Sequence, residues 1–330
     1  MVETKRATAH DIFSSVQASA KREMERSSLG LFFSGLAGGL NISFGFMAVA
    51  VVQAQAPAPW KTVLATAAYP LGFLLAILPR AQIFTENTLT PVVLVLEKPG
   101  RGTILGTGRI WGVVLLSNLM GAFIVSYLLA HLDLGTRLDP AALRDVAAHS
   151  FAGGWGSHFV RGIFGAWLVA LLVWMLHTGA SPVGEAVLVW VTTAMIYLGG
   201  FDHSVAGAVE GLYLANVHAI TYLDWLWAFQ LPVTLGNAVG GVVFVALVNW
   251  AQAVGAGRDV EVAERQRVVE RVRQAVVDKR AEDAARHLMD HDDADAVEEK
   301  LEAKGEQAGR IVRRALDDGE ADRREGGDDG

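Results

Sequence analysis

The stretch Gly199-Gly200-Phe201-Asp202-His203-Ser204-Val205-Ala206-Gly207 decides how this chain is read. It places an acid and a histidine at the end of the apolar run Ala186–Leu198. An ionisable group at membrane depth is costly and must face protein or a water-filled path. The flanking Gly199, Gly200 and Gly207 allow the helix to break there. Non-helical backbone survives at that depth only where it is buried in protein or lines a cavity. A second reading, a helix end at the membrane surface with a solvated histidine, is open on this stretch alone.

Composition favours the membrane. The chain has 330 residues, 52% of them hydrophobic, with a mean hydropathy of +0.32. That is too apolar for an ordinary soluble domain. Charge is concentrated at the ends: from Leu29 to Ala256 there are 8 Lys/Arg and 9 Asp/Glu, out of 28 and 35 in the whole chain. The formal net charge of −7 therefore describes the tails, not the middle. With no cysteine, disulfides, thiolate metal sites and Cys nucleophiles are excluded. The polar start up to Ser28 argues against a cleavable leader, so the first apolar span is expected to act as the insertion signal.

Working outward from the opening stretch, six spans are expected. They are Leu29–Val52, Thr62–Leu78 resumed at Leu89–Leu96, Ile110–Leu132, Phe159–Leu176, Ala186–Leu198 with the opening stretch, and Leu226–Trp250. The second is too short for a comfortable crossing and meets Pro79-Arg80 before the polar run Ala81–Thr88. Two interrupted segments, second in each set of three, suggest an inverted 3+3 repeat with its path near the midplane. Gly100–Gly108 reads as a loop, and Asp133–Trp155 as the longest loop of the membrane part. Asn118 stands inside the third span as a candidate interhelical hydrogen-bonder.

Three regions follow: 1–28, a basic amphipathic helix on the cytoplasmic side; 29–256, the six-helix channel region; and 257–330, a charged cytoplasmic tail. In the first, Ile12, Phe13, Val16, Ala20 and Met24 oppose Lys21, Arg22 and Arg26, which suits a membrane surface or the cover of a pore mouth. In the last, Val262, Val269 and Val276 recur at seven with Val272 between, a helical start that fades into charge blocks expected to be disordered. The excess of Lys and Arg on the tail side places both termini in the cytoplasm.

Gln82-Ile83-Phe84-Thr85-Glu86-Asn87 resembles the second-helix break of the formate/nitrite transporter family, and Gly200–Ala206 resembles its fifth-helix break. Val233-Thr234-Leu235-Gly236-Asn237-Ala238-Val239-Gly240-Gly241 is similar to its sixth-helix signature. The mixture of Pro79-Arg80 with Thr85-Glu86-Asn87 is most similar to the divergent YfdC-like branch. The resemblance implies an all-α polytopic membrane protein with an aquaporin-like fold and broken second and fifth helices. It further implies a homopentamer in the prokaryotic cytoplasmic (inner) membrane, surrounded by lipid, and a pore in each protomer for small monovalent anions or their conjugate weak acids, linked to protons.

By carry-over, His203 is the central histidine, Thr85 the residue facing it and Asn237 its sixth-helix partner. Phe73 and Ile196 fall at the apolar constriction, and Phe84 and Phe201 belong to the same path. Asp202, Glu86, Arg80 and Gln82 are candidate modulators. Arg80 stands where the family often has glycine, Gln82 where it often has glutamate, and Ser150 where a basic vestibule residue is expected. Those departures keep two alternatives in view: a pore for neutral small solutes, and a membrane scaffold or sensor acting through the charged tail. No cofactor, metal site or nucleic-acid partner is indicated, and dispersed His and carboxylates form no catalytic set.

Overall fold

The computed structural model describes residues 7–133, 137–253, 255, 266–271, 273–274 and 277–279. It divides into two units, residues 1–256 and 257–330. In the second unit the described residues are helical and exposed, while Val262, Val272 and Val276 lie outside the described residues. The described residues of the first unit contain no strand.

The helices of the first unit are α1 (Ala9–Glu25), α2 (Ser28–Gln55), α3 (Lys61–Ala68), α4 (Pro70–Ile77) and α5 (Thr90–Glu97), followed by α6 (Arg101–His131) and α7 (Pro140–Phe151). Then come α8 (Trp155–Leu176), α9 (Pro182–Leu198), α10 (Ala206–Asn216) and α11 (Tyr222–Ala253). Five stretches are long and apolar enough to cross a membrane: α2, Ala58–Ile77, α6, α8 and α11. Helix α9 is apolar but shorter and stops at the opening stretch, with α10 beyond it. Exposed Leu116, Leu198, Trp227 and Val248 on these helices are what a lipid or protomer contact requires and a watery surface does not.

Two expected loops are helical. Helix α6 starts at Arg101, not after Gly108, and in its first turn the Thr103 hydroxyl donates to Gly100 O at 2.8 Å and Lys98 O at 3.0 Å. Gly106 there admits Met24 of α1, which a Cβ would strike. The segment read as the longest loop holds α7, whose start is capped by Asp139 (Ala141 N to Oδ1, 2.9 Å). Its buried face is Ala142, Leu143, Val146 and Ala147, an apolar stripe diluted by charge in the sequence.

Helix α1 covers its own apolar face with protein. Ile12, Phe13 and Val16 join Leu89, Val92 and Val93 of the α5 region, Val173 and Trp174 of α8, and Val245 of α11. Arg109 of α6 caps the far end, donating to Arg26 O and Met24 O, each at 2.9 Å. Beyond α8, His177 donates from Nδ1 to Val173 O (2.8 Å), which leaves Nε2 to accept from Ser19 of α1 at 3.1 Å. Ser19 in turn accepts from Arg22 at 2.8 Å.

The two breaks are built alike. Arg80 and Gly200 both take left-handed backbone, φ 64° and 61°. Ala81 N donates to Ala76 O (3.0 Å) as Phe201 N does to Ile196 O (2.9 Å). Gln82 N donates to Ser34 O of α2, and Asp202 N to Arg161 O of α8, both at 3.2 Å. An asparagine then closes each break. Asn118 Oδ1 accepts from Phe84 N (2.9 Å), and its Nδ2 donates to Gly35 O (2.6 Å) and Gln82 O (2.9 Å). Asn237 Oδ1 accepts from Ser204 N (2.8 Å), and its Nδ2 donates to Gly162 O (2.7 Å) and Asp202 O (3.2 Å). Glycine makes the approach possible: a Cβ on Gly38 would land on Gln82 O, and one on Gly165 on Asp202 O.

Replacing Asn118 or Asn237 by Ala leaves one buried N–H and two carbonyls without that partner, at about 1–3 kcal/mol for each group left unsatisfied. Either variant is expected to melt several degrees below the wild type in detergent; wild-type melting would show that the breaks do not depend on these amides. For α1, burial lowers the His177 pKa from its ordinary value, and the nearby Arg80 and Arg22 charges add to this. The docked form thus favours neutral His177, and its stability falls as pH drops below the unperturbed value of about 6.5. Hydrogen exchange across residues 12–20 should speed up on acidification beyond the intrinsic rate change, and this extra component should vanish in His177→Gln.

Candidate functional site

His203 sits where the second break turns into α10, with 2% of its surface exposed. Its Nδ1 accepts from the backbone N–H groups of Val205 (3.2 Å) and Ala206 (3.1 Å). A nitrogen that accepts carries no proton, so the neutral ring holds its hydrogen on Nε2. That atom lies 2.7 Å from Thr85 Oγ1, in the other break. Thr85 therefore accepts from His203 and keeps its own O–H to donate to a third group. One contact thus joins the two breaks and leaves a donor available at fixed orientation.

Apolar side chains surround this contact. Phe73 of α4 places its ring edge-on to the His203 imidazole, with centroids 4.9 Å apart and planes at 85°. Phe73 is 1% exposed and Ile196 is fully buried. Tyr69 follows Phe73 at 5.6 Å and meets Tyr197 at 5.3 Å, so an aromatic series runs along α4 and α9. Phe84 and Phe201 pack on neighbouring helices: Phe84 rests edge-on against Trp111 of α6 at 5.7 Å, and Phe201 stacks on Phe164 of α8 at 5.3 Å.

Asp202 does not face the His203–Thr85 contact. Its Oδ2 lies 2.8 Å from His158 Nδ1 and 3.7 Å from Arg161 Nε. Arg161 also donates to Gly200 O and Ala152 O, each at 2.9 Å, so the group ties the break to α8. His158 is 1% exposed, and nothing in its sequence neighbourhood marks it, because its partner is 44 residues away.

The first break disposes of its polar residues similarly. Gln82 Oε1 accepts from Asn87 Nδ2 at 2.8 Å. Arg80 directs its guanidinium to Glu185, in the first turn of α9, at 3.2 Å. Glu86 is half-buried within reach of the Arg80 charge. Asn237 is fully buried and bonded to backbone on both sides, so it holds the frame around His203.

A family model described as formate/nitrite transporter matches residues 10–251. The chain is 31% identical over 238 residues to the inner membrane protein YfdC of Escherichia coli (strain K12), covering 72% of this chain and 76% of that protein. It is also 31% identical over 252 residues to a probable formate transporter of Methanothermobacter thermautotrophicus, covering 68% and 90%. In fold it is similar to an FNT family ion channel (TM-score 0.60, 21% identity, 73% of this chain and 98% of that one). A pentameric formate channel with formate bound is likewise similar (TM-score 0.59, 22% identity, 69% and 98%). The family model spans both breaks and the helices that hold them, and the chain belongs to the formate/nitrite transporter family, as a membrane transport protein of its YfdC-like branch and not an enzyme.

Proposed function

We propose that this protein conducts small monovalent anions of weak acids, formate and nitrite among them, together with a proton, through one pore in each protomer of a homopentamer in the bacterial inner membrane. The observation that carries the reading is the 2.7 Å contact between His203 Nε2 and Thr85 Oγ1, beside Phe73. Support also comes from relatives whose names describe formate transport and from a solved relative described as pentameric with formate bound.

The physical argument concerns desolvation. A bare anion entering an apolar constriction loses its water and pays heavily for it, whereas its neutral acid pays little. A pore of Phe73 and Ile196 alone therefore rejects the anion. The Thr85 hydroxyl, polarised by His203, offers a donor at that level, so an oxygen of the cargo exchanges water for Thr85 while the proton neutralises its charge. Asp202, Arg80 and Glu86 act at a distance in this scheme, through the shape and field of the two breaks.

Stopped-flow measurements on proteoliposomes test this. The wild type should move formate faster when a pH gradient supplies protons. Thr85→Val, which keeps volume and removes the hydroxyl, is expected to lose roughly tenfold in rate, on the scale of a charge-assisted hydrogen bond. His203→Phe should lose the proton-linked component while eluting at the same oligomeric size. Formate permeability no greater than that of empty vesicles overturns the reading, and flux of neutral solutes indifferent to the gradient replaces it with a neutral-solute pore.

A further inference from the structure

We propose that Glu210 of α10 is a second proton-carrying side chain of the conduction path, which meets the carboxylate of an incoming weak acid before His203 does. The proposal deepens the weak-acid reading above and rests on it.

Glu210 is 6% exposed, and no described cation pairs with it. Its hydrogen-bonding neighbour is the Ser150 hydroxyl, which carries no charge, and a buried carboxylate with no cation beside it is costly when ionised, so the position calls for a proton or a ligand. Its place on α10 is informative. The face carrying Gly207 and Gly211 is taken by Phe229 and Trp225 of α11, whose rings a Cβ at either glycine would strike. Glu210 lies on another face, with Ala206 toward His203 and Tyr213 and Val217 away from it. Tyr213 and Val217 line a 620 Å³ cavity at the α6–α7 end of the molecule, along with Arg137, Arg144, Asp133 and Asp139. The same face of α10 thus runs from an open cavity of mixed charge past Glu210 to the histidine.

The groups around the carboxyl fit proton exchange. Tyr69, Tyr197 and Asp202 lie within electrostatic reach, and Ser150 of α7 faces it. Helix α2 has no ionisable side chain, Arg144 of α7 turns to Tyr213, and on α6 the ionisable residues are Arg101, Arg109, Tyr127 and His131. In the proposed step the Glu210 O–H donates to an oxygen of the cargo carboxylate. Its proton moves to the cargo, the O–H bond of Glu210 breaks, and a neutral acid and a glutamate carboxylate result. A hydronium ion from the cavity restores the glutamic acid once the cargo has passed Phe73.

The test uses the full chain reconstituted in liposomes, as wild type, Glu210→Gln and Glu210→Asp. Infrared difference spectra at neutral pH are expected to show a protonated carboxyl band in the wild type that is absent from Glu210→Gln. Formate flux in Glu210→Gln should lose at least about tenfold of its rise on external acidification, with oligomer size and melting unchanged, while Glu210→Asp keeps part of it. Wild-type rates and pH profile in Glu210→Gln overturn the proposal, as does a carboxyl band common to both. Methylammonium flux that Glu210→Gln abolishes also overturns it, in favour of a cation site. If the wild type carries no weak acid, the transport reading and the cargo step fail together, and the infrared comparison still decides whether Glu210 holds a buried proton.

Discussion

Everything in the first unit depends on how two lengths of broken backbone stay paired inside an apolar frame. Within a bilayer no water completes an open N–H or C=O, so each break needs a partner supplied by the protein. Asn118 and Asn237 answer this, each accepting from one amide and donating to two carbonyls. The glycines of α2 and α8 let the breaks come close enough for those bonds to form. The positions of Thr85 and His203 are consequences of that pairing.

The geometry around His203 then follows from direction. Because the N–H groups opening α10 occupy Nδ1 of His203, the ring presents Nε2 across the gap to Thr85. The helix terminus fixes the tautomer, and the tautomer fixes which hydroxyl proton is available. Asp202, next in sequence to His203, takes no part in that contact; it joins the break to α8 through His158 and Arg161.

Much of this was legible in the chain. Glycines around an Asp-His pair, and a polar run after a short apolar one, mark the breaks, and Asn118 stands out as a polar residue in an apolar span. What stayed hidden involves partners distant in sequence. His158 reads as an ordinary interfacial histidine until the fold brings it to Asp202, and Glu210 reads as one more acid in a charge count until burial isolates it. The helical starts at Arg101 and Pro140 were obscured for a different reason: glycines and charges suggest loops unless a neighbour such as Met24 of α1 is known to need the space. Sequence also cannot say that the rings of Phe84 and Phe201 meet Trp111 and Phe164.

Arg80 and Gly200 share one backbone conformation at matching places in the two halves, although only glycine adopts it without strain. The frame holds its shape at position 80 with a residue ill suited to it, because main-chain atoms and one asparagine carry the geometry there. A duplicated architecture of this kind separates scaffold from fittings. Side chains along the breaks can therefore differ between the two halves while the main-chain geometry that holds them stays the same.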